Sequence, residues 1–136
     1  MFNFSWSDNL YSVKVFRFDD AHKKLFSIMA KFNDAVQAFK GQKVLKDVLE
    51  ELLEYTKTHF SDEEELMQRH GYTGIYEQQI QHKAFIDKVQ DYINKQGSGE
   101  LVLSNEVMDF LEKWLINHIQ QIDKKYSDFF NAKGIS

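Results

Sequence analysis

Apolar residues recur at spacings of three and four along most of the chain, which is the period of an α-helix and not of a strand. Four segments carry this pattern. The first runs from about Asp20 to Phe39, with its stripe at Leu25, Phe26, Met29, Phe32 and Val36 and with Asp19 or Asp20 as a candidate cap. The second runs from about Gln42 to Arg69, with Leu45, Leu49, Leu52, Phe60, Leu66 and Met67. The third runs from about Ile75 to Lys95, with Phe85, Ile86, Val89, Tyr92 and Ile93, and Thr73 is its candidate cap. The fourth runs from about Asn105 to Asn131, with Val107, Phe110, Leu111, Trp114, Leu115 and Ile122, and with Ser104 as candidate cap. Gly41, Gly71, Gly74, Gly97 and Gly99 punctuate the joints, and the absence of proline leaves nothing to break a helix from within. Short joints make neighbouring helices antiparallel. The expected fold is all-α, a single up-down-up-down four-helix bundle over residues 1–136. The aromatic, irregular first eighteen residues are expected to form an arm that covers part of it.

Extending each stripe brings in polar side chains. The first reaches back to His22. The second continues through His59 to Glu63, and the third reaches back through His82 to Gln78. The fourth continues to His118, with Asp123 five residues beyond. In an up-down-up-down bundle the start of the first helix, the end of the second, the start of the third and the end of the fourth share one end. Four histidines and two carboxylates therefore converge at one depth. A lone inward histidine is more often a satisfied core residue, and a single His-x3-Glu pair arises readily by chance. Matched positions on four helices are harder to dismiss. Buried carboxylates need a paired charge or a metal, and these stripes carry no lysine or arginine. Imidazole and carboxylate without thiolate suit iron, manganese or zinc, and helix-bundle cores host dinuclear carboxylate sites. His70, just before Gly71, is expected at a helix C-terminus and is left out of this cluster.

Composition narrows the picture. Cysteine is absent, which excludes disulfides, thiolate metal sites and cysteine nucleophiles. The net charge is −4 with both signs interspersed, so no basic stripe suggests nucleic acid. No run approaches the length of a membrane span, and the N-terminus lacks the features of a signal peptide. A cytoplasmic monomer is expected.

With those residues in view, the chain resembles the hemerythrin family, and specifically its single-domain bacterial members. "FSWSDNLYSVKV" resembles the family's N-terminal arm and "FDDAHKKLF" its first ligand segment. "HFSDEEELM" carries the His-x3-Glu, "HKAF" closes the third-helix motif, and "WLINHIQQIDKKY" carries His-x4-Asp followed by Tyr126. The resemblance implies a non-haem di-iron site that binds O2 reversibly. One iron is held by His22 and His59, and the other by His82 and His118 with a third histidine. Glu63 and Asp123 bridge the two, together with an oxo or hydroxo group.

Two points stand apart from that pattern. Five residues turn a regular helix by about 140°, so His118 and Asp123 do not share a face unless the helix widens after His118. A π-type distortion is expected there. The third histidine of the family pattern falls at Gln78, whose neutral amide oxygen is a weaker ligand than imidazole. Three outcomes follow: Gln78 or water fills the position, the site holds one ion better than the other, or the site stays largely empty. Trp114, Leu115, Ile119, Phe26 and Phe60 surround the expected ligands and are candidates for a dry O2 pocket, although most apolar residues at such positions simply pack the core. The rival functions are a di-iron peroxidase or oxidase acting at a labile iron, a metal-storage bundle, and a metal-free helical interaction domain.

Overall fold

A computed structural model describes residues 4–136, so the first three residues of the expected arm lie outside the described part. Six α-helices make up the structure, with no strand among the described residues: α1 (Asp8–Tyr11), α2 (Phe16–Gln37), α3 (Gly41–His70), α4 (Ile75–Gly97), α5 (Ser104–Asn117) and α6 (Ser127–Ala132). Between α5 and α6 the chain stays helical but changes pitch, first to a π-helix over His118–Ile122 and then to a 3-10 turn over Asp123–Tyr126. The long helices are those expected from the period of apolar residues, and together they form a four-helix bundle. α3 packs along α2 and α4, and α5 closes against α2 and α3. Between α4 and α5 the space is filled by rings: Phe85 lies 4.4 Å from Trp114 and 5.7 Å from Phe110 between centroids.

Two apolar clusters make the core. The larger runs through the bundle and includes Leu25, Met29, Phe32, Leu49, Leu52, Val89 and Leu111. The smaller sits at one end and joins Val13 and Val15 of the arm to Phe18, Leu66, Met67, Tyr126 and Phe130. The arm and α6 thus seal one end of the bundle, while Trp6 and Tyr11 pack edge-on against Phe26.

The helix ends depart from the expected caps, and each departure has a local cause. α2 starts at Phe16, before either Asp19 or Asp20, with no side-chain cap on its first turn. Asp19 instead reaches backward from inside the helix, accepting bonds from the Val13 amide at 2.8 Å and the Ser12 hydroxyl at 2.6 Å. It ties the arm to α2. Thr73 does not cap α4; Gly74 precedes that helix, again without a side-chain bond. Ser104 is not a cap but the first residue of α5. Its amide donates to the side-chain oxygen of Gln42 in α3, and the Gln42 amide nitrogen donates to the Val102 carbonyl at 3.0 Å. One glutamine therefore satisfies the entrance of a helix about sixty residues away in sequence. Beside it Gly41 opens α3 where backbone must approach closely: a Cβ there would stand 2.6 Å from the Ser104 hydroxyl and 2.8 Å from a Val36 methyl. Gly71 ends α3 in the left-handed conformation, at φ 72°, with the Tyr72 amide bonded back to the Met67 carbonyl.

Gln42→Ala removes both bonds at the α5 entrance. Its unfolding free energy is expected to fall by about 1–2 kcal/mol in urea titration. Bound metal per folded chain should stay unchanged, since Gln42 lies at the opposite end of the bundle from the histidines.

Candidate metal centre

His22 lies early in α2, His59 and Glu63 late in α3, and His82 early in α4. His118 opens the π-helical stretch and Asp123 follows directly after it. All six are buried, with Glu63 and Asp123 showing no exposed surface. The π-helix adds about one residue to a turn, so the five-residue spacing from His118 brings Asp123 back to the inward face. His118 Nε2 stands 2.9 Å from Asp123 Oδ1. The distortion expected from the spacing is present where it was needed.

The donors divide into two groups that share Glu63. His22, His59 and Glu63 form one, and Glu63, His82, His118 and Asp123 form the other. Within the first, His59 Nε2 is 3.1 Å from Glu63 Oε1 and His22 Nε2 is 3.8 Å from Glu63 Oε2. Asp123 Oδ2 approaches this group as well, 3.3 Å from His22 Nε2. Within the second, His82 Nε2 is 3.5 Å from Glu63 Oε1 and 3.2 Å from His118 Nε2. Each carboxylate therefore faces both histidine pairs.

These contacts are close but poorly aligned. His59 Nε2, Glu63 Oε1 and Asp123 Oδ2 are buried without a hydrogen-bond partner despite neighbours at 3.1–3.5 Å. Buried polar groups are normally paired, so several unpaired acceptors facing one space call for a cation. Donor atoms about 2.1 Å from a common octahedral ion lie about 3 Å from one another, close to the spacing seen here. The residues fit cations, with Glu63 common to both donor groups.

The electrostatics agree. Burial pushes the Glu63 carboxyl up, but the imidazoles of His59, His22 and His82 together hold it well below the usual carboxylate range. Burial and the neighbouring Glu63 charge both raise Asp123, and His118 and His22 outweigh them to lower it. Burial disfavours a charged His22, yet the adjacent carboxylates of Asp123 and Glu63 lift it to about 10. Protons and cations compete for these donors, so acid weakens metal binding.

Gln78 is buried on the same face of α4, and its amide nitrogen donates to Asp123 Oδ1 at 2.9 Å. Its amide oxygen has no partner in the protein. Of the expected pocket residues, Phe60 lies flat on the His82 ring at 3.9 Å and Trp114 stacks on His118 at 4.3 Å. Leu115 and Ile119 are buried beside His118, and Phe26 faces the N-terminal arm. His70 ends α3, as expected, with its ring edge-on to Phe130 and away from the cluster.

Two residues support the cluster: Tyr126, which the sequence marked only as the end of a motif, and Glu64, which it did not mark. Tyr126, fully buried in the 3-10 turn, donates its hydroxyl to Glu63 Oε2 at 2.6 Å, and burial with the nearby Glu63 and Asp123 charges keeps it firmly protonated. Glu64 reaches from α3 to His82 Nδ1 at 2.8 Å. A carboxylate on the far nitrogen orients the ring so that Nε2 faces inward and makes the imidazole a stronger donor. In sequence Glu64 belongs to the acidic run "SDEEE", which reads as a solvated face, and its neighbour Glu65 does pair with Arg69 at the surface.

The hemerythrin HHE cation binding domain family matches residues 13–130 of this chain. The chain belongs to the hemerythrin family. It is 34% identical over 123 residues to a bacteriohemerythrin of Pseudomonas aeruginosa, covering 90% of this chain and 78% of that one. It is 30% identical over 130 residues to the bacteriohemerythrin of Clostridium acetobutylicum, covering 92% and 99%. A crystal structure of wild-type hemerythrin superposes with a TM-score of 0.83 at 28% identity, over 91% of this chain and 95% of that one. The hemerythrin-like fold and the buried His/Glu/Asp cluster thus coincide in one chain.

Glu64→Ala frees His82 Nδ1 while leaving every inward donor in place. Divalent-metal affinity, measured by competition with a chelator, is expected to weaken by about 10–100-fold. Glu64→Gln should recover part of that loss. Unchanged affinity in both variants would show that Glu64 does not support His82.

Proposed function

We propose that this protein binds O2 at a non-haem di-iron centre, for storage, delivery or sensing. The observation that carries the reading is the pair of carboxylates, Glu63 and Asp123, each facing two histidine pairs from a fully buried position. His22 and His59 would hold one iron and His82 and His118 the other. When bound, the iron pair supplies the electrons for reversible O2 binding.

The protein's own residues supply the surroundings. Tyr126 keeps one Glu63 oxygen hydrogen-bonded and so holds in place the carboxylate that would serve both irons. Glu64 fixes the His82 tautomer with its Nε2 inward. Phe60 and Trp114 wall the two histidines of one side, while Leu115 and Ile119 exclude water next to His118. A small uncharged gas enters such an apolar surround at little cost, whereas ions that would be lost from or attack the site do so only against desolvation. Phe26, expected in the same enclosure, packs instead against Trp6 and Tyr11 of the arm. The family membership supports an O2-binding role over an enzymatic one.

The test is anaerobic loading with ferrous iron, followed by O2 titration and removal of O2 under inert gas. The expected result is about two irons per chain and an absorption change that reverses on O2 removal. Iron content near zero, or no spectral response to O2 with two irons present, would contradict the reading. Ile119→Glu, which puts a charge beside His118, should speed irreversible oxidation of the loaded protein several-fold.

A further inference from the structure

Gln78 is the polar residue of the cluster whose part the O2-binding role leaves unassigned. It sits one turn before His82 with 1% of its surface exposed. Asp123 Oδ1 can only accept a hydrogen bond when ionised, so the group 2.9 Å from it must be the Gln78 amide nitrogen. An amide nitrogen has no lone pair to give a metal. In this arrangement Gln78 donates to Asp123, and its oxygen, the atom that could ligate, is left buried and unpartnered.

The donors can then be counted. One side has His22 and His59, the other has His82 and His118, and Glu63 and Asp123 serve both. Each cation thus finds two imidazoles and two carboxylate oxygens, which is four protein ligands. Octahedral first-row ions with N/O ligands take six. A single exogenous bridge adds one to each ion and still leaves one position open on both.

We propose that the ion held by His82 and His118 carries an open coordination position beside Gln78, and that this position takes a small exogenous anion or a water. The inference rests on the two-ion reading above and extends it to a second ligand site. Gln78, His82, His118 and Asp123 are all buried, so the ligand is taken into the protein interior and is small. The unpartnered Gln78 oxygen accepts a hydrogen bond, so among small ligands those carrying a proton gain an extra contact. An imidazole at position 78 would fill the open position and give up the bond to Asp123.

Azide is the probe. Protein loaded with ferrous iron is oxidised with ferricyanide, its iron content is measured, and azide binding is followed by calorimetry and visible absorption. With two irons per chain, the wild type is expected to bind two azides, and Gln78→His one, at equal iron content. Gln78→Ala, which cannot ligate, should bind two as the wild type does, and it serves if the histidine variant does not fold. One azide per two-iron chain in the wild type overturns the proposal. Fewer than two irons per chain overturns the two-ion reading and this inference with it, and the iron count tells the two failures apart.

Discussion

Two carboxylates without access to solvent govern this structure. Glu63 and Asp123 lie among four imidazoles inside a helix bundle that offers no lysine or arginine to balance them. Leaving such charges unpaired costs several kcal/mol each, a large part of what a domain of this size has in hand. The surrounding features answer to that constraint. Tyr126 donates to Glu63, Gln78 donates to Asp123, and the two carboxylates lift His22 to about 10 although burial disfavours its charge. The arm and α6 close the end of the bundle over the cluster through Val13, Val15 and Phe130, so the polar site lies between two apolar bodies and is walled from water by both.

The backbone yields to the same demand. A regular α-helix cannot present both His118 and Asp123 inward, and this chain widens into a π-helix at His118 and tightens into a 3-10 turn at Asp123. Both pitches are less favourable than the α-helix they interrupt. The distortion also sets the direction of Tyr126, which lies in the tightened turn and meets Glu63. One local change of pitch thus brings the His118 imidazole to Asp123 and the Tyr126 phenol to Glu63.

Much of this was legible in the sequence because the clues were periodic. The apolar stripes marked the long helices, and extending them by one or two turns led to the histidines and Glu63. The mismatch at His118 and Asp123 pointed to the π-helix. Long-range or orientational features were not legible. Ser104 has the composition of a cap, yet the structure makes it the first helical residue because Gln42 serves its amide from another helix. Asp19 and Asp20 suggested a helix start, but the helix begins earlier and Asp19 is used to hold the arm. Glu64 and Glu65 are identical in a sequence, and only packing turns one toward His82 and the other toward Arg69. The sequence also marked Gln78 as the odd position, but which end of its amide faces Asp123 depends on the fold.

The claim that organises this account is that Glu63 and Asp123 stand between two cations. Anomalous diffraction from crystals of the iron-loaded protein, collected on both sides of the iron absorption edge, tests it most directly. Two iron peaks are expected, one among His22 and His59 and the other among His82 and His118, with both carboxylates between them. A single peak on either side, or iron lying outside the reach of Glu63 and Asp123, would contradict it.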